Sequence, residues 1–281
     1  MNSHDYMDKA VDAGLERLRG YFRNLKGALT AYSGGVDSAL LAAAAFDALG
    51  ERAVAVTVMS PSMPLRERLE AESLAKNLGM RHLVVEIDET ADPDYRANSR
   101  FRCYHCKKML FSRLKELAAE LEIPVVIEGT NADDDAGDWR PGLRAVRELQ
   151  VLSPYIDLKM GKAEIRRLAA LRGLPVWDKP SAACLASRVA YGEEITPEKL
   201  SRIEKAEDVL LGLGFRRVRA RSHGDLVRIE TDPAELPRLL EPGVREKIAA
   251  ELKLCGYVYV ALDLEGYRTG AMNETADPPE A

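Results

Sequence analysis

Apolar positions along the chain switch repeatedly between the helical and the strand period. Over residues 8–26, Leu15, Leu18, Phe22 and Leu25 form one helical stripe. A short apolar run, Ala28–Tyr32, predicts a strand that leads into Ser33-Gly34-Gly35-Val36-Asp37-Ser38. An alanine-rich helix follows and stops at Gly50, a residue suited to a helix C-terminus. Ala53–Met59 predicts a second strand, residues 64–78 a polar helix ending at Gly79, and His82–Asp88 a third strand. A helix is expected from Cys106 to about Leu121, a fourth strand at Val125–Thr130 and a further helix at Lys162–Arg172. Strands this uniformly apolar are buried on both faces, so the expected class is α/β, with a parallel sheet between helices. Ligands of such sheets sit beyond the carboxyl ends of the strands.

The rhythm changes near residue 191. Thr196-Pro197-Glu198 is a helix start, with a capping hydroxyl, proline in the first turn and an acid beside it. Leu200, Ile203, Ala206, Leu210 and Leu213 mark the buried face of that helix. Strands near Arg216–Ala220 and Leu226–Glu230, a helix near 243–254 and a strand at Tyr257–Leu262 complete a smaller α+β region. The expected division is a first domain over 1–190, a second over 191–275 and a frayed tail over 276–281.

Composition narrows the classes. A chain of 281 residues with 46% hydrophobic and 30% charged residues has ample core for a globular fold. A net charge of −5 disfavours a protein that coats nucleic acid. The most apolar run, Ala39–Phe46, is far short of the roughly 20 residues that span a membrane. The start of the chain has no apolar signal segment, so a cytoplasmic location is the expectation.

Three groups of residues carry candidate chemistry. In Ser33–Ser38, two glycines let the backbone approach an anion, a helix start supplies N–H groups, and Ser33 and Ser38 add hydroxyls. This makes a pyrophosphate cradle without the lysine of a Walker loop, and Asp37 is placed to hold Mg²⁺ or to order the loop. Cys103 and Cys106 form a C-x₂-C pair and Cys184 stands far along the chain. In a reducing compartment such thiols suit metal binding or chemistry better than disulfides. With His105 they fit zinc, and as three thiolates they fit a [4Fe–4S] cluster with one iron open. Unrelated thiols and a redox dithiol are the plainer readings, and Cys255, in an apolar stretch, reads as packing. Arg188 follows Cys184 closely enough to stabilise a thiolate. Strand alternation puts Arg217, Arg219, Arg221 and His223 on one face, either as an anion site or as a solvated edge. Asp133–Asp135, Arg140, Arg144, Glu204 and Glu207 are weaker candidates, the two glutamates reading more simply as a solvated helix face.

The hexapeptide SGGVDS resembles the PP-loop of ATP pyrophosphatases. That resemblance implies a Rossmann-like PP-loop domain, cleavage of ATP between its α and β phosphates, and adenylylation of a substrate. It also places Met59 and Ser60, and Gly129 and Thr130, beside the nucleotide. A longer ordered set resembles the LarE family over residues 10–275. The set comprises SGGVDS, RCYHCKKMLFSRL at 102–114, Asp138–Arg144, the Cys184–Arg188 loop, Arg219 and Arg221 with His223, and Leu262–Gly270. The resemblance implies an ATP- and Mg²⁺-dependent sulfur transferase acting on pyridinium-3,5-biscarboxylic acid mononucleotide in biosynthesis of the nickel-pincer nucleotide of lactate racemase. Some members of that family sacrifice the sulfur of the cysteine matched by Cys184. Others hold a [4Fe–4S] cluster on three cysteines, the pattern of Cys103, Cys106 and Cys184. The expected partners are the anionic nucleotide substrate, a sulfide or persulfide donor and further copies of the chain in a homo-oligomer, a hexamer among the forms; neither nucleic acid nor membrane is expected. A tRNA-thiolating PP-loop enzyme, an ammonia-using adenylylating synthetase and a non-catalytic nucleotide-binding module are the competing readings. Arg219 and Arg221 are expected to hold the substrate's phosphate or carboxylates, with Arg140 and Arg144 as lesser candidates.

Overall fold

A computed structural model describes residues 3–135, 141–180, 183–268 and 270–272. The elements in chain order are α1 (Ser3–Arg23), β1 (Ala28–Ala31), α2 (Val36–Leu49), β2 (Ala53–Met59), α3 (Leu65–Asn77), β3 (His82–Glu86), α4 (Arg102–Glu120), β4 (Val126–Ile127), α5 (Pro141–Glu148) and α6 (Lys162–Leu171). They continue with α7 (Pro197–Gly212), β5 (Val218–His223), β6 (Leu226–Thr231), α8 (Val244–Leu254) and β7 (Tyr259–Leu262), joined by single helical turns.

The chain divides into two compact units that interleave along the sequence. One comprises Met1–Ser60, Leu65–Ile87 and Cys103–Ala182; the other takes Pro61–Pro64 and Asp88–Arg102 together with everything from Ala183 onward. No single cut near residue 190 separates them.

In the first unit a parallel sheet runs in the order β3-β2-β1-β4, with Ala28 opposite Ala53 and Leu29 opposite Val126. β1 and β2 are buried along most of their length, whereas β3, at the edge, is half-exposed. Leu18 and Phe22 of α1, the alanines of α2, and Ile165 and Leu168 of α6 fill one core. Phe111, Leu114 and Leu117 of α4 pack with Leu29 and Val56 in another. The alanines of α2 have a structural reason. The helix packs against α1, α6 and the strands, and small side chains permit that close approach on several sides.

The second unit carries a mixed sheet in the order β5-β6-β7, antiparallel then parallel. Its core joins Ala206 and Leu210 of α7 to Val218, Val227 and Ile229 of the sheet and Ile248 of α8. The Thr196 hydroxyl accepts from the Lys199 N–H at 3.3 Å, the cap that its sequence predicts. Among the described residues no helix is long and apolar enough to cross a membrane.

Three local expectations shift. α4 begins ahead of Cys103, out of a turn built on Ser99: its hydroxyl accepts from the Phe101 N–H at 3.2 Å and its carbonyl from the Arg102 N–H at 2.9 Å. The fourth strand closes at Ile127, because the Thr130 N–H turns to the Glu128 carboxylate instead of a neighbouring strand. β5 starts at Val218, two residues later than its basic run suggests.

Candidate active site

The strand–loop–helix at residues 28–49 builds the phosphate cradle. Ser38 Oγ accepts from the Ser33 N–H at 3.1 Å, lies 3.1 Å from Ser33 Oγ, and donates to the Gly35 carbonyl at 3.1 Å. The two serines thus close the loop on itself. Gly34 has φ +74°, and a Cβ there would stand 2.7 Å from Ala71 Cβ, so both backbone angle and space require glycine. Gly35 precedes α2 without a side-chain cap, which leaves the first-turn N–H groups oriented toward an anion. Gly129 passes beside the loop, where a Cβ would lie 3.2 Å from the Ser38 nitrogen.

Asp37 does not stand alone. Its Oδ2 takes the ammonium of Lys162, and its Oδ1 is buried with no hydrogen-bond partner among the described residues. Tyr155, fully buried, donates to the Asp37 carbonyl at 2.9 Å, and burial beside that carboxylate pushes the phenol well above its ordinary range. Asp133 accepts from the Lys162 N–H at 2.7 Å and so caps α6. Asp134 accepts from the Asn131 amide at 2.7 Å. Two of the three consecutive acids are therefore parts of the loop's own framework.

At the carboxyl end of β4, Glu128 is buried and accepts from Thr130 Oγ1 and Ser153 Oγ, each at 2.6 Å, with Lys107 Nζ 3.6 Å away. Thr130 thus spends its hydroxyl on Glu128. Met59 closes β2 and Ser60 follows it, both half-buried. Neither Glu128 nor Lys162 stands out in the sequence, because Ser153 and Lys107 come to the first, and Asp37 to the second, from far along the chain.

Cys103, exposed, and Cys106, half-buried, lie three residues apart near the start of α4 and so share one helix face. α5 approaches this turn at Gly142, where a Cβ would meet Lys107 Cδ at 2.9 Å and the Cys103 carbonyl at 3.4 Å. Tyr104 donates to Glu148 at 2.7 Å, and Arg144 pairs with the same glutamate at 2.6 Å. Arg144 therefore has a structural partner on its own helix. Arg140, the Asp138–Arg140 stretch and the tail lie outside the described residues.

In the second unit Cys184 is exposed at the head of a single helical turn, Leu185–Arg188. The turn is held through its carbonyls. Arg188 donates to those of Ala183 at 2.6 Å and Cys184 at 2.8 Å, Arg102 to Ala186 at 3.0 Å, Arg221 to Ser187 at 3.0 Å, and Asn98 to Ala190 at 2.7 Å. Two of these cations are neutralised in place. Arg188, 2% exposed, forks onto Glu207 with bonds of 2.8 and 3.1 Å. Arg221 forks onto Glu230 with bonds of 2.9 and 2.7 Å. Glu207 also accepts from the Ala220 N–H at 3.2 Å and is fully buried, which corrects its reading as part of a solvated helix face.

Arg219 has a different setting. It lines a cavity of about 180 Å³ together with Arg102, Ser187, Tyr191, Arg221 and Tyr267. Its guanidinium lies 5.0 Å from the centre of the Tyr267 ring. Burial, and then the nearby Arg188, lower its pKa. A bound anion would relieve both. His223 is further along β5, its pKa also lowered by burial and then by Arg228.

Comparison with known proteins agrees with this geometry. The pattern of the family described as NAD synthase matches residues 16–103. The protein slr1717 of Synechocystis sp. is 44% identical over 263 residues, which cover 94% of this chain and 98% of that protein. Pyridinium-3,5-bisthiocarboxylic acid mononucleotide synthase of Lactiplantibacillus plantarum is 34% identical over 254 residues, covering 90% of this chain and 91% of that one. The protein MJ0830 of Methanocaldococcus jannaschii is 32% identical over 252 residues, 90% of this chain and 94% of that protein. With a PP-loop on a parallel sheet and likeness to the Lactiplantibacillus plantarum synthase over nine-tenths of its length, the chain belongs to the LarE family of PP-loop enzymes.

Proposed function

We propose that the protein is an ATP-dependent sulfur transferase that converts pyridinium-3,5-biscarboxylic acid mononucleotide to its thiocarboxylate forms, a step in nickel-pincer nucleotide biosynthesis. The observation that carries this reading is the Cys184 turn. Buried arginines hold the backbone of the turn that carries exposed Cys184, and its neighbours Ala183 and Ser187 line a cationic cavity suited to a carboxylate or phosphate.

The chemistry has two steps per carboxylate. A carboxylate oxygen attacks the α-phosphorus of ATP, and pyrophosphate leaves. Sulfur then attacks the acyl carbon, and AMP leaves with the oxygen. Two rounds give the bisthiocarboxylate. The N–H groups of the Ser33–Ser38 loop bind the pyrophosphate portion, and Gly129, lacking a Cβ, leaves the Ser38 N–H uncrowded. Met59, Ser60 and Thr130 lie at the strand ends that border the nucleotide. Asp37 fits a Mg²⁺ ion, since its Oδ1 is a buried oxygen with no other partner among the described residues. Arg219 orients an anionic group of the substrate. Arg188 and Arg221, each paired with a buried glutamate, act as positioning residues that fix the Cys184 turn.

Three thiolates form a soft donor set suited to iron. A [4Fe–4S] cluster held by Cys103, Cys106 and Cys184 would supply an extra bound sulfide as the nucleophile, renewed by sulfide, or by a persulfide donor together with a two-electron reductant, in a cytoplasmic homo-oligomer. The test is anaerobic purification of the wild type and Cys103→Ala, with iron and sulfide counts, a visible spectrum and thiocarboxylate formation. A brown wild type, with loss of cluster and of sulfur transfer in the variant, is expected. Zinc in a colourless protein, or conversion of Cys184 alone to dehydroalanine, refutes the cluster. Thiolation of tRNA without turnover of the pyridinium nucleotide refutes the substrate.

A further inference from the structure

Asn98 is a polar residue that is fully buried on a left-handed backbone, with φ +50°. Glycine enters that region freely and other residues seldom do. We propose that Asn98 is a positioning residue for sulfur transfer: one side chain that holds Arg102 in the wall of the cationic cavity and, with it, the exit of the Cys184 turn. The inference rests on the reading of that cavity and turn as the sulfur-transfer site.

Every polar group of Asn98 is used. Its N–H donates to the Tyr95 carbonyl at 3.1 Å, and its own carbonyl accepts from the Gly192 N–H at 3.3 Å. The side-chain amide donates to the Ala190 carbonyl at 2.7 Å and to the Val189 carbonyl at 3.4 Å, and its oxygen accepts from Arg102 Nη1. That same nitrogen of Arg102 donates to the Ala186 carbonyl at 3.0 Å. The carbonyls of Ala186, Val189 and Ala190 thus converge on two linked side chains. Asparagine supplies both a donor and an acceptor on a short stem. Glycine would keep the backbone angle and lose both. Aspartate would keep the acceptor and turn a carboxylate on two carbonyls.

The pair bears on the chemistry through Arg102. Its buried guanidinium lines the cavity with Ser187 and Arg219 and lies 5.4 Å from the centre of the Tyr191 ring. A guanidinium is a rigid plane, so pinning one nitrogen and one face fixes where its other N–H groups point. Ser187 belongs to the Cys184 turn, and its N–H and its hydroxyl both donate to the Cys184 carbonyl, at 3.0 and 2.8 Å. The cavity wall and the thiol-bearing turn therefore share one set of fixed carbonyls. A reacting group displaced by about 1 Å can lose on the order of 100-fold in rate. The clamp thus acts on sulfur transfer and leaves the binding of ATP, whose cradle is built from β1 and α2, unchanged.

The experiment compares the full chain with Asn98→Gly, which keeps the backbone free of strain. Amide hydrogen exchange, ATP binding by titration calorimetry, and kcat/KM for the pyridinium nucleotide at saturating ATP are measured where circular dichroism shows both proteins folded. Exchange over residues 185–195 should rise about tenfold or more, as for loss of buried hydrogen bonds, while residues 28–49 stay within about twofold. The value of kcat/KM should fall about tenfold or more, with ATP binding within about twofold of wild type. Unchanged exchange over 185–195 overturns the inference. So does a kcat/KM within about twofold of wild type, which would leave Asn98 a packing residue only. An equal loss of ATP binding also overturns it, because general destabilisation would produce that result. If Asn98→Gly does not fold, Asn98→Asp decides by the same readings. A wild type that binds ATP and forms no thiocarboxylate overturns the sulfur-transfer reading and this inference with it, a failure distinct from a variant that matches an active wild type.

Discussion

Replacing Glu207 by alanine tests the claim that the cysteine turn is held by a neutralised cation. Glu207 is fully buried, and its carboxylate takes both a two-pronged contact from Arg188 and the Ala220 N–H. Its removal leaves the Arg188 guanidinium, 2% exposed, without its counter-charge and strands a backbone donor. Breaking a buried pair from one side costs about 3–5 kcal/mol. That is a large share of the roughly 5–15 kcal/mol by which folded domains exceed their unfolded states. Arg219 feels the change as well, since Glu207 is the largest influence offsetting the burial and Arg188 repulsion that lower its pKa. The assay is urea unfolding followed by circular dichroism, run as a double-mutant cycle with Arg188→Met and the pair Arg188→Met/Glu207→Leu. The single alanine variant should lose about 3–5 kcal/mol, and the apolar pair should lose less than the two single variants added together. A second readout is the alkylation rate of Cys184, followed by peptide mapping, which should rise as the Ala183 and Cys184 carbonyls lose a fixed donor. A Glu207→Ala variant within about 0.5 kcal/mol of wild type would refute the reasoning, because such a change is typical of surface substitutions.

Two further outcomes follow from the first unit. Gly34→Ala places a Cβ 2.7 Å from Ala71 Cβ at φ +74°, so it should lower the thermal midpoint and weaken ATP binding about tenfold or more, from a conformational cost of about 1–2 kcal/mol plus the clash; Ala71→Gly should rescue part of the loss. Burial lowers the pKa of His82 against a weaker upward pull from Glu72, and its Nε2 lies 2.8 Å from Thr57 Oγ1. The unfolded chain therefore binds a proton at His82 more readily than the folded one. Its contribution is fully present above the unfolded value of about 6.5 and is lost as pH falls through the folded value. Urea midpoints measured below pH 6.5 should fall less steeply in His82→Gln, and identical slopes in the two proteins would refute this assignment.

Much of the architecture is legible one segment at a time. The Ala28–Tyr32 strand, the SGGVDS turn and the alanine helix adjoin in the chain, so the hydrogen bonds and small residues that make the cradle lie within one stretch. The start of α7 is equally local, with Thr196 capping a nitrogen three residues away. Period-2 and period-3.6 patterns record backbone geometry, which acts over a few residues. The identity of each charge's partner is another matter. Lys162 meets Asp37, Arg188 meets Glu207 and Arg221 meets Glu230 because packing delivers them. Glu207 illustrates the point: on a helix of mixed polarity it looks like a solvated residue, and it is buried because a guanidinium from the Cys184 turn is buried with it. The basic run at 216–223 likewise reads as one stripe, until the fold neutralises Arg221 with Glu230 and sets Arg219 in the cavity beside Tyr267. Local propensity writes the elements into the chain, whereas burial and ion pairing depend on which distant segments come to share a low-dielectric space.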